Sequence, residues 1–288
     1  MQRILVIGAT GMIGQPVTHE LIDAGYEVTI MARSMYKARK LFPGETVVYG
    51  NVYDTASMIK VFADQDVVYI SLSPPRNSQE DDIMPEREGI ENIIVAARET
   101  GISRLILLSS LVQNYNNTNG YHWWIFDIKK AAVEKIKASG IPYTIFYPSS
   151  FMECFDHVLM RRNFIMLAGR SKAPMHFICA ADFGKQVAQS LADPDQENKE
   201  YVVQGEKAYN WDEAVKLFVQ HYTKARVRVL KAPMGLLKLI GRVNPTVQYG
   251  AMIMEALNNY PEKLECHKTW YELGKPEISI EQYAAGDL

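Results

Sequence analysis

Cysteine is scarce in this sequence: Cys154, Cys179 and Cys266 are widely spaced and form no Cys-x-x-Cys pair. That argues against a disulfide framework or a zinc ribbon and fits a reducing cytoplasm. The scattered histidines (His19, His157, His176, His221, His267) have no metal-ligand spacing, so no metal is expected. Neither sign of charge dominates. With 31 basic and 33 acidic residues the net charge is −2, which gives no electrostatic reason to expect nucleic acid or an anionic membrane as partner. Long apolar runs are also missing; Leu105 to Leu108 is typical and far too short to span a bilayer. The chain enters its first strand after a single basic residue, so no secretory leader is expected. The apolar heptapeptide Gly235 to Gly241 reads as a helix packed on its own domain. There are no internal repeats, and 288 residues at 48% hydrophobic and 22% charged can bury a substantial core.

What is present begins at the N-terminus with RILVIGATGMIG, Arg3 to Gly14. An apolar strand gives way to glycines at Gly8, Gly11 and Gly14, and an amphipathic helix follows from about Met12 to Ala24. The first glycine suits a tight turn, the second keeps side chains away from a pyrophosphate, and the third allows close helix–strand packing. Unpaired N–H groups at the helix start then face an anion. This order of strand, turn and helix is the context that a dinucleotide-binding motif requires.

The second strand is expected at Glu27 to Met31. No acid lies between Val28 and Ser34; Arg33 stands there instead, with Lys37 close behind. An acid would bond the ribose hydroxyl of NAD, whereas an arginine suits the extra phosphate of NADP. NADP(H) is therefore expected in preference to NAD(H). Further strands are predicted at Val47–Tyr49, Val67–Ser71, Leu105–Leu108 and Tyr143–Tyr147, with helices over 85–100 and 128–138. The alternation predicts an α/β fold, a Rossmann-type doubly wound parallel sheet with its crevice at the strands' carboxyl ends.

After Pro148 the alternation fails. A helix near Phe183–Leu191, a strand at Tyr201–Val203 and a helix capped by Asn210 and Glu213 are expected. The predicted organisation is a nucleotide-binding domain over 1–148 and a smaller mixed region over 149–288 that covers the substrate and partly returns to the core.

These segments together resemble the NmrA-like group of atypical short-chain dehydrogenase/reductases. The likeness rests on GATGMIG at Gly8 to Gly14, Arg33, SLSPP after strand four, LLSS at Leu107 to Ser110, and Lys130 to Met152. It implies that Thr10, Met12 and Ile13 contact the pyrophosphate and that Ser71, Leu72, Ser73 and Pro74 pass beside a ribose. Lys130 would bond the nicotinamide ribose, Ser109 would lie at the end of strand five, and Phe146, Tyr147, Pro148 and Ser149 would close over the ring. Tyr147 departs from the arginine common in the family. Asn51, in GNVYD, replaces an acid but still offers an amide to adenine.

Catalysis is where the sequence departs most. The best-known catalytic members carry a tyrosine four residues before the lysine; Lys130 has Phe126 there, and Lys129 has Ile125. A Tyr-x-x-x-Lys pair does occur at Tyr36 and Lys40, but on the wrong element. Ser110, Tyr121 and His122 are the remaining candidates for proton handling, with Tyr115 behind them. Trp123, Trp124, Phe126 and Phe151 line an apolar pocket or belong to the core. A Cys154/His157 nucleophile beside Glu153 lacks a third orienting group. Two readings follow. One is an oxidoreductase passing hydride from NADPH to a small apolar or aromatic carbonyl, quinone or conjugated acceptor; the alternative is a non-catalytic NADP(H) sensor. The partner is a small molecule, and a homo-oligomer is left open.

Overall fold

The computed structural model describes residues 2–192 and 198–287. Its central sheet has seven parallel strands in the order β3-β2-β1-β4-β5-β6-β9. These are β1 (Arg3–Ile7), β2 (Glu27–Ala32), β3 (Thr46–Tyr49), β4 (Val67–Ile70), β5 (Arg104–Leu108), β6 (Tyr143–Pro148) and β9 (Lys199–Val203). The innermost strands are apolar throughout because both faces are covered. Ile4, Val6 and Tyr69 pack under the helices α1 (Gly14–Asp23) and α6 (Ala180–Leu191). Leu5, Ile7, Val68 and Ile70 pack under α3 (Thr55–Phe62), α4 (Ile90–Thr100) and α5 (Trp124–Lys137) on the other face. This is a doubly wound, Rossmann-type fold. Strand order reverses between β1 and β4, which opens a crevice above their carboxyl ends.

The helix expected over 85–100 is two pieces: a π-helical turn at Pro85–Gly89 runs into α4. Proline at its first position and the Glu88 carboxylate, which accepts the Met84 N–H at 2.7 Å, start this turn. The helix expected at 128 begins earlier, at Trp124, so the aromatic stretch belongs to its first turn.

Residues beyond 148 complete the sheet as well as cover it. β9 pairs with β6, and α6 packs on α1. The remainder forms a three-stranded sheet, β10-β8-β7, from Arg228–Ala232, Phe164–Ala168 and Met160–Arg161. Around it pack α7 (Trp211–His221), α8 (Met234–Gly241), α9 (Pro245–Asn259), α10 (His267–Leu273) and α11 (Ile280–Ala285). The Asn210/Glu213 capping box is present at the start of α7. α8 packs through Met234 and Leu237, while Leu236, Leu239 and Ile240 stay exposed. No helix among the described residues is long and apolar enough to cross a membrane.

Candidate functional site

The glycine turn sits directly above β1. Gly8 has φ +95°, and a Cβ there would overlap the carbonyl oxygen of Ser71 from the end of β4; a Cβ on Gly14 would overlap the carbonyl of Gly8. The turn closes through Gly11 N–H to Gly8 O at 2.9 Å. α1 has no side-chain cap and no acid in its first turn. Among the described residues no protein acceptor meets the N–H groups of Met12, Ile13 or Gly14. Together with the positive end of the helix dipole they form a cradle that fits a pyrophosphate.

Lys37 lies at the rim of this cradle, its ammonium donating to Thr10 O at 2.9 Å. Arg33 is exposed and makes no side-chain hydrogen bond or ion pair among the described residues, with Tyr53 within its field. Asn51 spends its carbonyl oxygen locally, accepting the Tyr53 N–H at 3.2 Å. Ser71 bonds Ile7 O through its backbone N–H, Leu72 is half-buried, and Ser73 is exposed. Ser109 is buried and donates to Gln113 at 3.3 Å, while Ser110 is half-buried beside it.

Lys129 of α5 is enclosed against the π-helical turn. Its ammonium lies 2.5 Å from Glu86 on the π-helical turn, with the two side chains only 14% and 5% exposed. Burial opposes the charge on Lys129, but the Glu86 carboxylate more than offsets it and holds Lys129 above the ordinary lysine value. Burial likewise raises the Glu86 carboxyl despite Lys129. Among the described residues the second Glu86 oxygen has no partner. Lys130 is half-buried and forms no ion pair among the described residues.

Several sequence candidates are engaged elsewhere. Tyr121 is buried and donates to Met252 O at 3.0 Å, its phenol pushed strongly upward by burial. His122 is exposed, between Asn117 at 3.1 Å and Asp127 at 3.4 Å. Tyr147 turns to the edge strand and donates to Glu200 at 2.7 Å. Pro148 is buried, and the Ser149 hydroxyl donates to Glu262 at 2.7 Å. Trp123, Phe126 and Phe151 are buried in the core; Trp124 is half-buried. The Cys154 thiol is pushed up to about 12, chiefly by burial, which makes it a poor nucleophile. Among the described residues no cluster could hold a metal ion.

Three further residues approach this region without having been singled out. Glu86 pairs with Lys129. Glu262 accepts from Ser149 and from Gln204 at 2.6 Å, pinning the segment before α10 over the end of β6. Tyr249 of α9 packs edge-on against Trp123, ring centroids 5.0 Å apart. Each comes from a distant part of the chain, and none stands in a local pattern.

Comparison with known proteins agrees with this architecture. Photosystem II assembly factor Ycf39 of Trieres chinensis is 25% identical over 260 residues, 88% of this chain and 79% of that protein. Phenylcoumaran benzylic ether reductase PT1 of Pinus taeda is 27% identical over 220 residues, 68% of this chain and 67% of that protein. The crystal structure of Citrobacter sp. triphenylmethane reductase with NADP(H) superposes with a TM-score of 0.76 at 17% identity, covering 100% of this chain and 99% of that one. The last likeness is one of fold. A family model for the NmrA-like family matches residues 1–281, nearly the whole chain, and the chain belongs to that family.

Proposed function

We propose that this protein is an NADP(H)-dependent reductase acting on a small apolar or aromatic carbonyl, quinone or conjugated acceptor. The observation that carries the reading is the open anion cradle at Met12–Gly14, where the strand order reverses. Arg33 and Lys37 beside it favour the 2′-phosphate of NADP over NAD. The names of the pine and Citrobacter proteins, both reductases, support the reaction class.

The glycine turn would hold the pyrophosphate, Asn51 the adenine edge, and Ser71 to Ser73 a ribose. Of the two adjacent lysines, Lys129 has the side chain held in a buried ion pair, and we assign the nicotinamide ribose to it rather than to Lys130. NADPH supplies the hydride when bound. The chain's own work is to orient the ring, exclude water and hold positive charge beside the acceptor.

Fluorescence titration with NADPH and NADH, repeated on Arg33→Ala, tests the reading. One lost charge-assisted contact is worth about 1.5–3 kcal/mol, so NADPH affinity should fall about 10- to 100-fold while NADH affinity stays unchanged. Failure of both nucleotides to bind refutes the proposal. Tight NADPH binding with no acceptor reduced would favour a non-catalytic role, in line with the assembly-factor name carried by Ycf39.

A further inference from the structure

Charge in this chain is balanced as a whole but not in its distribution. Residues 157–181 and 214–254 carry eleven lysines and arginines and no aspartate or glutamate. These two stretches contain β7, β8, β10 and α8. Lys231 is neutralised by Asp212 of α7 and Lys238 by Glu255 of α9. Among the described residues the other cations of the two stretches form no ion pair, so this part of the molecule presents a surplus of positive charge to solvent.

The same elements expose apolar side chains in order. On α8 and its C-terminal end, Leu236, Leu239, Ile240 and Val243 recur at i, i+3, i+4 and i+7, one helix face, and are 41% to 86% exposed. Met234 and Leu237 on the other side meet the domain core. In the sheet, Phe164 and Met166 of β8 point out while Ile165 and Leu167 are buried. Across the ladder Phe164 stands between Arg161 of β7 and Arg228 of β10, and Met166 stands beside Leu230. The inner sides of α8 and β8 rest on one core, so their outer sides both face away from it. A surface that keeps this many aliphatic groups in water has a use for them.

We propose that α8 and the outer face of the β8–β10 sheet dock on a lipid bilayer bearing anionic headgroups. The helix lies in the interface with its aliphatic stripe at the acyl boundary, and the unpaired arginines, Arg228 and Arg242 among them, meet lipid phosphates. At eight residues α8 rests on the membrane and does not cross it. Charge decides against a second copy as the occupant, since two of these faces brought together would set two acid-free basic surfaces against each other. The stripe is a ridge of aliphatic groups on the outside of a helix, which a fluid acyl layer accommodates without a matching groove. This inference stands apart from the reductase reading.

Co-sedimentation with vesicles tests it. Wild type should pellet with vesicles of one part phosphatidylglycerol to two of phosphatidylcholine, stay in solution with phosphatidylcholine alone, and be released by salt at about 0.5 M. A basic residue at an anionic surface is worth about fivefold in partitioning, so Arg228→Glu/Arg242→Glu should weaken binding about 25-fold or more. Leu239→Ser/Ile240→Ser should weaken it at least tenfold. All four positions are exposed, so both variants should keep the wild-type circular dichroism and Tm. Equal binding to neutral and anionic vesicles, binding to neither, or variants that pellet like wild type overturn the proposal. Sedimentation equilibrium covers the other occupant: a dimer that Leu239→Ser/Ile240→Ser dissociates, in a protein that ignores vesicles, makes the face a contact between copies and also overturns it.

Discussion

Replacing Lys129 with methionine separates a buried ion pair from a merely crowded one. Glu86 is 4% exposed, and among the described residues one of its oxygens lacks a partner while the other meets Lys129. Losing the ammonium leaves a buried carboxylate with no compensating charge, at a cost of about 3–5 kcal/mol. Lys129→Met/Glu86→Leu removes both charges and should return to within about 1 kcal/mol of wild type, because a buried pair adds little over a well-packed apolar one. The single variant should also be sensitive to pH. Burial holds the Glu86 carboxyl above its usual range even beside Lys129, and without the ammonium it moves higher still. Between an unfolded value near ~4.3 and that raised one, the native state keeps a proton that the unfolded chain has lost. Stability therefore falls as pH rises through the window. Urea denaturation at pH 5, 6 and 7 should show the gap between single and double variants narrowest at pH 5 and widest at pH 7. A single variant as stable as the double at pH 7, or a gap that ignores pH, would refute the reasoning.

Two other perturbations follow from the geometry. Gly14→Ala puts a methyl into the Gly8 carbonyl, so the turn must shift; NADPH affinity should fall at least tenfold, with a stability loss of about 1–3 kcal/mol in thermal melts, and unchanged binding would contradict the cradle. Glu153 is buried, accepts the Ala180 N–H at 2.9 Å at the start of α6, and has its carboxyl pushed up to about 7 by burial. Its raised value makes wild type lose stability as pH climbs from the unfolded value toward 7; Glu153→Gln should lack that loss, so its Tm advantage over wild type grows from pH 5 to pH 8, and parallel curves would rule this out.

The strands and most helices were readable because each is a local statement. The run Ile4 to Ile7 is apolar at every position since β1 lies mid-sheet with both faces covered, and Asn210 with Glu213 is a cap written within four residues. Helix ends were harder. The sequence pattern places the start of α5 at Ile128, whereas it begins at Trp124, because an aromatic stretch carries little helical periodicity until Tyr115, Tyr121 and α9 bury it. The π-helical turn at Pro85 was not legible either: its register depends on Glu88 bonding Met84 and on Glu86 meeting Lys129.

The sequence alone determined the α/β alternation, the glycine turn and the absence of a tyrosine before Lys130, since all three are matters of which residues stand next to one another. It also supplied Arg33 in place of an acid after β2. The tertiary structure decided that Lys129 pairs with Glu86, what Glu262 holds, and that Tyr249 of α9 packs edge-on against Trp123. Those facts belong to side chains from separate elements, and only packing the C-terminal helices against the sheet sets the distances between them.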